Sequence, residues 1–136
     1  MDLLEKANQF NKNTLMEQLG IEYTAIGDDY IHATMPVDHR THQPMGLLHG
    51  GATAALAESM GSLGSYLLID QEKHAVVGIE VNANHLRGVR KGHVRAEGKL
   101  AHRGKTLHVW DIKVFDERDK PVAICRLTNM IIPKPA

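Results

Sequence analysis

Hydrophobic and polar positions change their period twice along the chain and divide it into three regions. Residues 2–19 carry helical spacing: Thr14 followed three places on by Glu17 fits a capping box, and Gly20 suits the position just past a helix end. One or two short helices are expected there. From 21 to 35 apolar and polar residues alternate on either side of Gly27-Asp28-Asp29, so IEYTAI and YIHATM read as a hairpin that Pro36 ends. In the second half, strand patterns return as HAVVGIEVNA, HVRAEGKLAH, KTLHVWDIKVF and PVAICRLTNMII, parted by RGVRKG, RGK and DERDKP. Turns this short predict antiparallel neighbours.

Between the two strand regions lies HQPMGLLHGGATAALAESMGS, residues 42–62. The stretch from Ala52 to Leu68 has no proline and is rich in good helix formers. Leu56, Met60, Leu63 and Leu67 recur at helical spacing and predict an apolar stripe for a sheet face. The chain therefore composes an α+β domain over residues 1–136: one long central helix against a single antiparallel sheet.

Glu58 is the only Asp, Glu, Lys or Arg between Arg40 and Asp70. It lies about 200° around the helix from Leu56, on a face whose other members (Ala54, Ala55, Gly61, Ser62, Ser65) are all small. A face meeting only water would carry Lys, Arg or Gln, so this one is expected to be covered. Carboxylates in such settings are recurrent bases and nucleophiles; the competing reading is a solvated helix glutamate.

His49-Gly50-Gly51 opens the same helix. The first N–H groups of a helix have no intrahelical partner and sit at its positive dipole end, and glycine lets a ligand oxygen approach them. This suits an oxyanion formed from a carbonyl or thioester, although a helix start needing a tight turn explains the glycines equally well. Gly50 and Glu58 are eight residues apart, about 12 Å along the axis. One helix cannot bring both to one carbon, so joint action requires a second, antiparallel copy across a two-fold axis and predicts a dimer with composite sites.

Composition narrows the function classes. Sixteen basic residues balance sixteen acidic ones, which leaves no global field for nucleic acid or an anionic membrane. There is no apolar run of membrane-spanning length, and MDLLEKANQF is too polar for a secretory signal, so a cytoplasmic protein is expected. Cys125, the single cysteine, sits in the apolar pattern VAICRL and reads as a buried small hydrophobe. His32, Asp38, His39 and His42 crowd one segment but match no zinc spacing, and no metal site is expected. GxGxxG, P-loop and G-x-S-x-G motifs are absent.

QPMGLLHGG followed by ALAESMGS resembles the hotdog-fold acyl-CoA thioesterases of the phenylacetate-pathway and 4-hydroxybenzoyl-CoA type, nearest to members acting on dihydroxynaphthoyl-CoA or proofreading enterobactin synthesis. The likeness extends through TMPVDHRTHQP, VVGIEVNANHLR, HRGK and WDIKVFDE. It implies a sheet wrapped around the long helix, dimers with shared sites and often dimers of dimers. It also implies that Glu58 is the nucleophile or general base and that the Gly50 N–H polarises the carbonyl. Gln43 and His49 would hold the thioester oxygen and shape the site, and Ser62 would help place Glu58 or the water. For the substrate's nucleotide and pantetheine arm it points to Gly78, to His85, Leu86, Arg87 and Gly88, and to His102, Arg103, Gly104, Lys105, Thr106 and Leu107. Family members usually carry proline where Gly88 stands.

Coenzyme A brings phosphates, and a neutral protein needs local cations for them: HLRGVRK supplies Arg87, Arg90 and Lys91, and AHRGK supplies His102, Arg103 and Lys105. Met45, Leu47, Met60 and Leu63 are the apolar candidates for an acyl pocket. The expected activity is hydrolysis of an acyl-CoA or aryl-CoA to a free acid and coenzyme A. That chemistry needs water, a base and an oxyanion site, and no cofactor. A carrier protein presents the same pantetheine arm and stays open as a partner. A hotdog dehydratase or hydratase would instead place a catalytic histidine, and a non-catalytic acyl-CoA-binding protein would keep the pocket without the base.

Overall fold

A computed structural model describes residues 1–136. Two short helices, α1 (Leu3–Gln9) and α2 (Leu15–Leu19), precede the hairpin of β1 (Glu22–Ile26) and β2 (Tyr30–Val37); α3 (Gly50–Tyr66) follows, then β3 (His74–His85), β4 (Gly92–Arg103), β5 (Leu107–Phe115) and β6 (Pro121–Pro133). The six strands form one sheet in the order β1-β2-β4-β5-β6-β3, antiparallel at every step. Local chemistry explains most boundaries. Asp2 caps α1 by accepting the Glu5 N–H at 2.8 Å, and Gly20 ends α2 in the left-handed region at φ 73. The capping box expected at Thr14 does not form. The Thr14 hydroxyl donates back to the Asn11 carbonyl at 2.6 Å, while Glu17 Oε2 accepts the Asn13 N–H at 3.3 Å.

Strand alternation sends Ile31, Ala33, Met35 and Val37 of β2, and Trp110, Ile112 and Val114 of β5, to the concave face against α3. Irregularities at Gly78/Glu80 in β3 and Leu100/His102 in β4 add the twist a sheet needs to curl around a helix. Cys125 is buried among these residues, and burial pushes its thiol up to about 11, which removes it as a nucleophile.

The wrapped surface of α3 is wider than a leucine stripe. Ala52, Thr53, Leu56, Ala57, Met60, Gly61, Gly64 and Ser65 are all buried, an arc of roughly 220° at 100° per residue. Two of the residues expected on the Glu58 face therefore turn to the sheet: Gly61 packs under Leu127 and Ser65 is fully buried. Leu63, near the arc's other margin, and Leu67, the C-cap beyond the last turn, are only half-buried. Gly64 shows what the sheet demands, since a Cβ there would stand 2.5 Å from Trp110 Cζ2. Gly64→Val should lower the unfolding free energy by about 1–3 kcal/mol through overpacking, a loss that thermal denaturation followed by circular dichroism measures directly.

Asn8 fastens α1 to the sheet margin: its Nδ2 donates to Tyr23 O at 3.0 Å and its Oδ1 accepts Tyr23 N–H at 2.8 Å. Asn11 Nδ2 donates to Ile21 O at 3.0 Å. These bonds hold α1 and α2 beside the open side of α3. No helix is long and apolar enough to cross a membrane.

Candidate active site

The segment before α3 is braced so that the helix start is held firmly. His49 N–H donates to Thr41 O and Leu48 N–H to Val89 O, both at 2.8 Å, and the buried Thr41 hydroxyl donates to Pro36 O at 2.7 Å. His49 is the N-cap, in extended conformation, and its Nδ1 accepts the Gly51 N–H at 2.7 Å. Of the two glycine donors, Gly51 is thus already engaged, while the Gly50 N–H meets no protein acceptor. His85, at the end of β3, packs over Gly50: a Cβ there would stand 2.9 Å from His85 Nε2.

Gly50 opens onto a cavity of about 400 Å³ that also takes in Gln43, His85, Leu86, Arg87 and Gly88. Gln43 folds over its own loop, its Oε1 accepting the Met45 N–H, and Leu47 closes the cavity beside Gly88. His49 does not join them. Its ring faces a smaller cavity of about 280 Å³ with Thr41 and His42, on the α2 side of the helix.

Glu58 stands elsewhere, at the rim of the buried arc. Its carboxylate lies over Gly78 of β3, so close that a Cβ at Gly78 would be 2.8 Å from Oε2. Within the single chain Glu58 is exposed; the cover expected over its face is not supplied by this chain. Glu58 and Ser62 line a third cavity, about 410 Å³, walled by Phe10, Leu15, Met16 and Leu63. Tyr23 completes it and donates its hydroxyl to Ser59 O at 3.3 Å; burial pushes this phenol up to about 12, so it remains a neutral donor. Phe10 meets Tyr66 edge-on with centroids 6.5 Å apart. Sequence pattern did not single out α1, α2 and Tyr23 as walls, because Phe10 and Leu15 read there as ordinary helix residues. Met60 is fully buried in the core and Met45 is 75% exposed, so neither lines the cavity as expected of an acyl pocket.

The two basic runs lie at opposite ends of the sheet. Arg87 to Lys91, just past β3, face the β5–β6 turn, where Arg118 and Lys120 join Arg87, Arg90 and Lys91 around one depression with Asp116 and Glu117. Backbone N–H groups of Lys120 and Arg118 hold the Asp116 carboxyl below its ordinary value. Arg118 and Lys120 were legible only as part of a charged turn. His102 to Leu107 make the β4–β5 connection at the other end, where Gly104 N–H donates to Leu107 O at 2.7 Å and Arg103 Nη2 to Leu68 O at 3.0 Å.

With this geometry in view, kinship is decisive. The thioesterase superfamily profile matches residues 45–123, from the loop before α3 to the start of β6. The chain belongs to the thioesterase superfamily. It is 47% identical over 129 residues to the proofreading thioesterase EntH of Cronobacter turicensis, covering 95% of this chain and 93% of that one. A thioesterase crystal structure from Pseudomonas aeruginosa superposes with a TM-score of 0.95 at 49% identity, covering 98% of this chain and 96% of that one. One from Haemophilus influenzae gives 0.92 at 47% identity, with 98% and 92% covered. The fold is the hotdog thioesterase fold, and the protein is a thioester hydrolase.

Proposed function

We propose that this thioesterase hydrolyses acyl-CoA or aryl-CoA substrates at composite sites shared by two copies of the chain, with Glu58 as nucleophile or general base and the Gly50 N–H as oxyanion donor. The observation that carries the reading is the division of the site residues within one chain. Gly50, with a free N–H, opens onto one cavity, and Glu58 with Ser62 onto another. Each half lacks what the other has.

Strand β3 offers the route to join them. It is 12 residues long, ends the sheet, and leaves Val77 and Ile79 exposed at 38% and 51%. An unpaired edge of this kind is a template for another strand. A second copy pairing antiparallel along β3, with the two-fold axis between Gly78 and His85, would set each Glu58 opposite the partner copy's Gly50. The same operation carries the His102–Leu107 connection of one copy towards the His85–Gly88 segment of the other. The cations Arg87, Arg90, Lys91, Arg118 and Lys120 would then meet the nucleotide phosphates, and the cavity beside Glu58 would take the acyl group.

In this reading the thioester oxygen accepts from the Gly50 N–H, and the helix dipole favours the negative charge that grows there. Glu58 either takes a proton from the attacking water, or attacks the carbonyl carbon itself to form a mixed anhydride that a water then cleaves, releasing the free acid and restoring the carboxylate. In both routes the C–S bond breaks and the thiolate of coenzyme A leaves with a proton that comes ultimately from the water. Ser62, one turn after Glu58, shares its cavity and would help hold the water. Gln43 borders the Gly50 cavity and would orient the acyl oxygen.

The test is thiol release from a panel of aryl- and alkyl-CoA thioesters by protein of known oligomeric state. A dimer or dimer of dimers that turns over CoA thioesters is the expected result, with aryl substrates preferred. An active monomer would remove the composite site, and turnover of acylated carrier protein alone would move the substrate class away from free coenzyme A.

A further inference from the structure

A polar stripe crosses the sheet directly beneath α3, in a core that is mostly apolar. Gly78 on β3 is in register with Asn129 on β6, which is in register with His108 on β5. Asn129, His108 and Ser65 above them are 0%, 2% and 0% exposed. Burying this much polarity is costly unless each donor and acceptor is matched.

The matching can be followed atom by atom. Ser65 Oγ receives the Trp110 Nε1–H at 2.9 Å and an Asn129 Nδ2–H at 3.0 Å, which leaves its own proton for His108 Nδ1 at 2.8 Å. His108 is therefore the neutral tautomer with its proton on Nε2. Burial, with Arg103 and His102 nearby, lowers its proton affinity in the same sense. The second Nδ2–H of Asn129 goes to the Gly61 carbonyl at 3.1 Å. Both amide donors of Asn129 are thus spent on α3, and the amide cannot flip without setting its oxygen against the Gly61 carbonyl.

One atom is left over. Asn129 Oδ1 is fully buried and no protein group donates to it. It faces Gly78: the point where a Gly78 side chain would begin lies 3.7 Å from Asn129 Oδ1 and 2.8 Å from Glu58 Oε2. Two acceptors, a carboxylate and an amide oxygen, border one notch that exists because residue 78 has no side chain. Water, with two donors, is the smallest molecule that can bridge both.

We propose that a water molecule held in the notch over Gly78 donates to both Asn129 Oδ1 and Glu58 Oε2, and that Asn129 is thereby a positioning residue for the Glu58 carboxylate. Asn129 touches neither substrate nor reacting atom. It fixes α3 through Gly61 and Ser65, and through the water it fixes the rotamer of a carboxylate that has no ion-pair partner in the chain. The proposal rests on the reading of Glu58 as the catalytic carboxylate.

Two measurements test it. A crystal structure of the wild-type oligomer at atomic resolution should show one water within hydrogen-bond distance of both oxygens; a dry notch, or a protein donor on Asn129 Oδ1, overturns the proposal. Single-turnover kinetics of Asn129→Ser in the wild-type and Glu58→Gln backgrounds, each variant checked for native size and cooperative melting, should give about a tenfold loss of rate with unchanged substrate affinity in the first and no further loss in the second. Equal losses in both backgrounds make Asn129 merely structural, and no loss in either removes it from the machinery. Full activity in Glu58→Gln alone would sink the underlying catalytic reading instead, and the crystallographic water separates the two failures.

Discussion

Glu58→Ala is expected to lower the turnover of CoA thioesters by two orders of magnitude or more, with the oligomer and the fold intact. The size follows from what a positioned base or nucleophile contributes to acyl transfer, about 10²–10⁴-fold. The intact fold follows from the site: Glu58 is exposed within its chain, enters none of its ion pairs, and alanine is the better helix former. Thiol release by size-checked wild type and variant measures the loss, and circular dichroism measures the fold. A variant as fast as wild type would make Glu58 a surface or packing residue and end the mechanism proposed for it. In water labelled with oxygen-18, label found in Glu58 after single turnovers establishes the nucleophilic role, because only a covalent acyl-enzyme cleaved at the Glu58 carbonyl carries solvent oxygen into the carboxylate.

The contrast between Glu58 and Asn129 marks how far a linear sequence can be read. Glu58 was visible because it interrupts a long stretch without other charges, and Gly50 because it stands where the first N–H groups of a helix are unpaired and has no side chain to shield them. Element types were legible for a similar reason: the alternation of β2, β5 and β6 and the proline-free run of α3 are local patterns. Asn129 sits in a strand that reads as apolar, and its meaning depends on cross-strand register with Gly78 and His108, which a single strand does not encode. Ser65 misled for a related reason. Helical angle alone sets it near Glu58, but the sheet curls far enough to bury it. Thr14 and His49 show the limit at the shortest range, where several acceptors compete for one donor: the Thr14 hydroxyl takes the Asn11 carbonyl over a helix cap, and the His49 ring takes the Gly51 N–H over the site.

Gly50→Pro is the second large expected loss, and it isolates a single atom. Proline lacks the N–H, yet it is well tolerated at the first helical position, which Gly50 occupies after the His49 cap. His49 already has φ −71 and ψ 129, the extended conformation a residue before proline requires. The ring must displace His85, whose Nε2 stands 2.9 Å from the Cβ position, but His85 is an exposed side chain with room to turn. Removing one preorganised oxyanion donor costs about 10²–10³ in turnover, so Gly50→Pro should be nearly inactive while α3 still forms. Glu58→Ala and Gly50→Pro then make a pair with a further consequence. If each site takes Glu58 from one chain and Gly50 from the other, a mixed dimer of the two variants holds one site with both defects and one with none. Unfolding and refolding the two variants together at equal concentration should therefore restore about a quarter of wild-type activity, since half of the dimers are mixed and each carries one intact site of two. Activity that stays at the level of the separate variants would mean that both groups act within one chain, which the separation of their cavities makes hard to reconcile with a single reacting carbon.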